Sequence, residues 1–315
     1  MMKYQNMLNA ITNKILNDKF PYTNWIIIGD NSSGKSDLLK LVVKKDIEAM
    51  YFIDVVNRYF VVSDTNLSKD NIQGMVSAKE VVERRIEENV FNLTDSFGDN
   101  EHIWRLYPLY EKKLKTFINN FLNIEFVIKR TQLEKGFGEG APTVFIDGVE
   151  MNISSGYQAI IRIFSEVIFY CDILEGRGTI VIDEIDEFLS PKYASNIMNF
   201  LSEQYEDIRF IVSTHSIDLV SNSIDCNIIV LEKNNYKILD GNDFSSLTDV
   251  GTLFEKVFIN KTNKHSIEID DELQRLFNLK ILGSWTSQEE SDFANINEQI
   301  LTNVQKLIYK QIKEW

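Results

Sequence analysis

Residues 25–41, WIIIGDNSSGKSDLLKL, decide the fold. Trp25 to Ile28 are four consecutive apolar residues, the pattern of a strand buried on both faces. Gly29 then opens GDNSSGKS, which meets G-x-x-x-x-G-K-[ST] at every fixed position. Asp37-Leu38-Leu39-Lys40-Leu41 begins a helix. A strand before this pattern and a helix after it are the context a phosphate loop requires. Such a loop aims the backbone N–H groups of Asn31 to Ser36 at a polyphosphate, and the helix start adds partial positive charge. Lys35 would reach the outer phosphates and the Ser36 hydroxyl would ligate Mg²⁺. The candidate nucleotide contacts are therefore Gly29, Asn31, Ser32, Ser33, Gly34, Lys35, Ser36 and Asp37.

Three later stretches add chemistry. Ile180-Val181-Ile182 ends in Asp183-Glu184. The first carboxylate suits a metal ligand, and the second is placed to orient and deprotonate a water. Ile211-Val212-Ser213-Thr214-His215-Ser216 carries His215 at the end of another buried strand, the edge where doubly wound α/β sheets bind ligands. The other two histidines, His102 and His265, lie in no such place. Ile153-Ser154-Ser155-Gly156-Tyr157-Gln158 opens a helix. Ser154 or Ser155 would serve as an ordinary N-cap there, yet free N–H groups and hydroxyls also make a second phosphate-facing helix start. One nucleotide has no need of two, whereas two copies of a chain could exchange them.

The order GDNSSGKS, ISSGYQ, IVIDE, STHS resembles the ATP-binding-cassette ATPases. Within them it is closest to the branch of SMC and RecF type DNA-maintenance ATPases and OLD-like defence ATPases. The match extends over residues 24 to about 240 and includes DEIDEFLSP, residues 183–191. The resemblance implies a mixed α/β P-loop fold, ATP with Mg²⁺ bound by Ser36 and Asp183, and a head-to-tail homodimer around two ATP molecules. Lys35, Glu184 and His215 would be catalytic in cis, and Ser154, Ser155 and Gly156 would contact the nucleotide of the other copy. The expected function is an ATPase that switches a separately encoded effector in phage defence or DNA maintenance. A nucleotide sensor with little turnover and a transporter subunit are the alternatives. The chain departs from the pattern at Tyr157, where the signature usually has an acidic or polar residue. It also departs before the phosphate loop, where residues 2–18 read as a helix instead of a strand with an adenine-stacking aromatic. Gln73 and Gln132 are the candidates for a metal-sensing glutamine. There is no heptad array, and the tail lacks the clustered acids of a Toprim nuclease.

Composition narrows the partners. The chain has 315 residues, with 33 Lys and Arg against 47 Asp and Glu, a net charge of −14. That balance leaves nucleic acid open without supporting it, because phosphate contacts need a basic face. No apolar run reaches the roughly 18 residues of a membrane span; the nearest, residues 160–174, is broken by Arg162, Glu166 and Asp172. No secretory leader pattern opens the chain. Cys171 and Cys226 give neither a disulfide framework nor a metal spacing, so a reducing cytoplasm is expected. The resemblance implies an ATPase domain over 1–240, and the periodicity predicts a helical lobe inserted at about 65–122 and a helical extension over 241–315. It also predicts a strand pair within residues 49–64, a hairpin at Asp147-Gly148, a helix over 154–174 and a closing hairpin around Asn234-Asn235.

Overall fold

The computed structural model describes residues 4–17, 19–54, 60–72, 74, 76–86, 101–132, 139–232 and 235–243. Of the tail it describes residues 272–273, 275–276, 279–280, 285–296, 301, 309–310 and 312–313. The chain forms two compact units, residues 1–251 and 252–315.

In the first unit, strands β1 (Asn24–Gly29), β2 (Met50–Asp54), β6 (Thr179–Asp183), β7 (Arg209–Thr214), β8 (Cys226–Glu232) and β9 (Asn235–Asp240) make one sheet, ordered β2-β6-β7-β1-β8-β9. All neighbours are parallel except β8 and β9. Trp25 to Ile28 and Ile180 to Ile182 are buried, as continuous apolar runs in a sheet covered on both faces must be. Helix α1 (Tyr4–Asn17) packs on α2 (Lys35–Lys45), which buries Leu38, Leu39, Val42 and Val43. The phosphate loop joins β1 to α2, so the parallel strands deliver their C-terminal ends to one edge.

The inserted lobe contains α3 (Ala78–Ile86) and α4 (Glu101–Leu122). A small antiparallel sheet follows, β3 (Phe126–Gln132), β4 (Glu139–Ile146) and β5 (Val149–Met151), ordered β3-β4-β5. Its β4–β5 turn is the expected Asp147-Gly148 pair, with φ of 51° and 80°. Left-handed backbone at both central residues is what a tight hairpin of matching twist demands. The helix that begins with the second phosphate-facing motif is α5 (Ser155–Ile168), ending in a π-turn over Phe169–Ile173. Helices α6 (Pro191–Gln204) and α7 (Ile217–Asn222) complete this unit's described helices. In the second unit, α8 (Ser287–Ala294) starts from a capping box at Thr286 and Glu289, and Leu273, Leu276, Leu301 and Ile312 form a small core.

Of the strand pair expected within residues 49–64, the described residues show β2, which ends at Asp54, and a 3₁₀ turn over Val62–Asp64. Residues 55–59, which hold the expected turn at Asn57-Arg58, lie outside the described residues, as do Val90, Leu93, Gly136, Gly138, Asn234, His265 and most of the expected C-terminal helix. Arg162 and Glu166 interrupt an apolar run in sequence, and Arg85 falls in the segment expected as a helical lobe. All three are buried. Arg85 pairs with Glu166 at 2.7 Å, Tyr51 donates to Glu166 at 2.5 Å, and the Arg85 and Arg162 guanidiniums donate to the carbonyls of Phe52 and Asp54 at 2.6 and 2.7 Å. Burial acts to raise the Glu166 pKa, but Arg85, then His102 and Arg162, outweigh it and hold it at about 2. Both cysteines are buried thiols, each pushed up to about 12 by burial.

Candidate nucleotide-binding site

The phosphate loop closes on itself through a hydrogen bond from the Ser33 N–H to the Asp30 carbonyl, 3.0 Å. Gly34 adopts φ 101°, a left-handed turn that lets the chain enter α2. Nothing larger fits: a Cβ there would meet the Tyr4 hydroxyl at 2.2 Å. The Tyr4 hydroxyl also donates to Asp37 Oδ2 at 2.7 Å, so α1 lies across the outer side of the loop. Lys35 is buried and donates to the Gly29 carbonyl at 2.9 Å. Burial pulls its pKa down, opposed by Glu184 and Asp183. Ser33 Oγ is buried with no hydrogen-bond partner among the described residues. An orphaned hydroxyl inside a loop of backbone N–H groups fits a phosphate oxygen.

The carboxylates arrive on β6. The sheet order puts β7 between β6 and the strand that feeds the phosphate loop, β1. Asp183 is buried and pushed up by burial, while hydrogen bonds from Ser213 and Ser36 pull it back. Ser36 and Asp183 therefore meet, as a shared cation requires, and their hard oxygens suit Mg²⁺. Glu184 lies one residue on, its pKa raised by burial and then by Asp183. Glu184 Oε1 stands 3.8 Å from His215 Nε2. Burial and then the Lys35 charge lower the His215 pKa, opposed by Asp30. Lys35, Ser36, Asp183, Glu184 and His215, five residues from three segments, thus converge.

The second helix start behaves differently. Ser154 is the N-cap of α5, accepting from the Tyr157 N–H, and Ser154 and Ser155 are exposed. A Cβ on Gly156 would stand 2.8 Å from the Phe188 carbonyl, so the helix start rests on the turn after β6. Among the described residues, no hydrogen bond from Ser154, Ser155 or Gly156 reaches the phosphate loop. Of the glutamine candidates, Gln73 lies outside the described residues and Gln132 is on β3 of the small sheet. The position beside Asp183 in the β2–β6 register is Asp54. Sequence reading missed Asp54, Tyr4 and Ser213. Tyr4 and Asp54 gave no signal, because only the folded sheet and α1 bring them near the loop; Ser213 was visible in the STHS stretch but overshadowed by His215.

Sheet order, loop and carboxylate-bearing strand make a mixed α/β fold with a phosphate loop at the C-terminal ends of its parallel strands. Residues 95–221 match the family model described as "AAA domain, putative AbiEii toxin, Type IV TA system". The chain is similar to the retron Vc95 probable ATPase of Vibrio cholerae serotype O1 biovar El Tor, 26% identical over 181 residues, which are 52% of this chain and 33% of that protein. It is 44% identical over 64 residues to the retron Ec83 probable ATPase of Escherichia coli, 20% of this chain and 12% of that one. It is 28% identical over 167 residues to the Septu protein PtuA of Bacillus mycoides (strain KBAB4), 51% of this chain and 23% of that one. The chain thus spans a third or less of the length of these curated relatives. Among solved structures, cbiO1 of Clostridium perfringens, part of the ABC transporter complex cbiONQ, aligns over 75% of this chain and 84% of its own at 16% identity and a TM-score of 0.41. An Smc head bound to the C-winged helix domain of ScpA aligns over 58% and 55% at 13% identity and a TM-score of 0.31. No described helix is long and apolar enough to cross a membrane.

Proposed function

We propose that this chain hydrolyses ATP, pairs with a second copy around two ATP molecules, and uses the cycle to switch a separately encoded effector protein in phage defence. The observation that carries this reading is the convergence of Lys35, Ser36, Asp183, Glu184 and His215 at the C-terminal ends of the parallel strands. Backbone N–H groups of the loop and Lys35 bind the β- and γ-phosphates. Ser36 and Asp183 would hold Mg²⁺, which would supply charge neutralisation on the phosphate oxygens. Glu184 orients the attacking water and takes its proton. His215, 3.8 Å from Glu184, donates a hydrogen bond toward the γ-phosphate or the water. Ser154, Ser155 and Gly156, which make no hydrogen bond to their own phosphate loop among the described residues, are offered to the nucleotide of the partner copy. The relatives named for retrons and for Septu support the defence setting.

Glu184→Gln tests the reading. The variant should retain ATP with Mg²⁺ and run as a dimer in light scattering while releasing almost no phosphate. A monomer under saturating ATP and Mg²⁺ would overturn the paired model. Equal, slow phosphate release by wild type and Lys35→Ala would instead favour a sensor.

A further inference from the structure

The geometry points to Ser213 as the positioning residue that sets both carboxylates of the site, an inference that rests on the ATPase reading above. Ser213 sits on β7, the strand between the one bearing the carboxylates and the one feeding the phosphate loop, and its side chain is fully buried. Its hydroxyl donates to Asp183 Oδ1 at 2.5 Å and accepts from the Glu184 N–H at 2.7 Å. Its carbonyl accepts from the Ile185 N–H at 3.1 Å. One residue thus holds three successive residues of the turn that leaves β6.

The turn needs holding. Glu184 has φ 53°, a left-handed conformation that a residue with a long side chain adopts only when its surroundings enforce it. In ordinary extended backbone the next side chain after Asp183 would point to the opposite face of the sheet. The left-handed turn re-aims it, and Glu184 comes to rest 3.8 Å from His215. The two hydrogen bonds on the Ser213 hydroxyl use its single proton for Asp183 and a lone pair for the Glu184 N–H, so the two grips are made together. Ser213 consequently ties the metal carboxylate and the general base into one unit, and fixes that unit to the strand that ends in His215.

The test uses the full chain as wild type, Ser213→Ala and Ser213→Thr. Phosphate release is measured against ATP and Mg²⁺, and binding of a fluorescent non-hydrolysable ATP analogue is titrated with and without Mg²⁺. Ser213→Ala should lower kcat by about 10–100-fold and raise the Mg²⁺ requirement, the scale for losing a group that orients a metal ligand. Its affinity for the analogue without metal should stay within about threefold of wild type, since the phosphate loop is untouched. Ser213→Thr, which keeps the hydroxyl, should recover most of the loss. A Ser213→Ala protein matching wild type in kcat and Mg²⁺ requirement would overturn the assignment. So would parallel loss of kcat and metal-free affinity in both variants, which would make Ser213 a packing residue. If wild type itself releases no phosphate, the ATPase reading fails, and the Mg²⁺ dependence of analogue binding alone decides the role of Ser213.

Discussion

Gly34 is the point where one hydrogen atom in place of a methyl group decides whether the loop can close. Its φ of 101° strains any L side chain, and the Tyr4 hydroxyl fills the space a Cβ would need. Gly34→Ala should therefore weaken nucleotide binding at least about tenfold, since backbone strain and the overlap both distort the cradle; equilibrium binding of a fluorescent ATP analogue reads this directly, and unchanged affinity would contradict it. At this scale the sequence was most legible where a residue type is chemically irreplaceable. Gly34, Lys35, Ser36, Asp183 and Glu184 announce themselves by spacing. Tyr4 does not, because its contact with Gly34 and Asp37 joins residues about thirty positions apart through the packing of two helices. Ser213 is similar: a serine in a β-strand has no signal of its own until a neighbouring strand brings Asp183 against it.

Among elements, the strands and helices whose burial is simple were read well. Residues 25–28 and 180–182 are apolar throughout and central in the sheet, and the Asp-Gly pair made its hairpin. What escaped was the buried ion pair between α3 and α5. Arg85 and Glu166 look like surface charges by type, and only their mutual satisfaction makes burial tolerable. Glu166→Gln should cost about 3–5 kcal/mol, because it leaves the Arg85 charge buried without its partner; chemical denaturation followed by tryptophan fluorescence measures it. Replacing both, Arg85→Met with Glu166→Leu, should recover part of that loss. The pH dependence has a definite sign. Glu166 titrates at about 2 in the folded chain against an ordinary 4.5, so its stabilisation is full above pH 4.5 and drains away as pH falls toward 2. An unfolding midpoint in wild type that falls on acidification more steeply than in the double variant would show that loss.

For the whole molecule, the reading turns on whether a site is completed by another copy. Lys35→Ala spoils the phosphate loop but leaves α5 intact; Ser155→Arg does the reverse at an exposed position. Each alone should be inactive. Mixed in equal amounts, they should regain about a quarter of wild-type phosphate release, because half the dimers are mixed and each has one intact composite site. No recovery on mixing would mean that Ser155 acts, if at all, on its own chain. The order of the motifs raises this arrangement as an expectation, whereas the segment between β2 and β3 was legible only as helical, its attachment hidden in side chains that touch β2.

That attachment has a consequence for how the chain avoids sticking to itself. Among the described strands, β2 is the last in the sheet, with β6 on one side only. Its outward carbonyls at Phe52 and Asp54 are taken by Arg85 and Arg162. An open, apolar strand flank of this kind is a template for another chain, and proteins cover such flanks or charge them. Here the lobe supplies one of the two covering arginines. A version with residues 65–122 replaced by a short linker should keep the phosphate-loop sequence yet aggregate, with turbidity rising as β2 recruits strands from neighbouring molecules. The insertion is then a guard on the sheet.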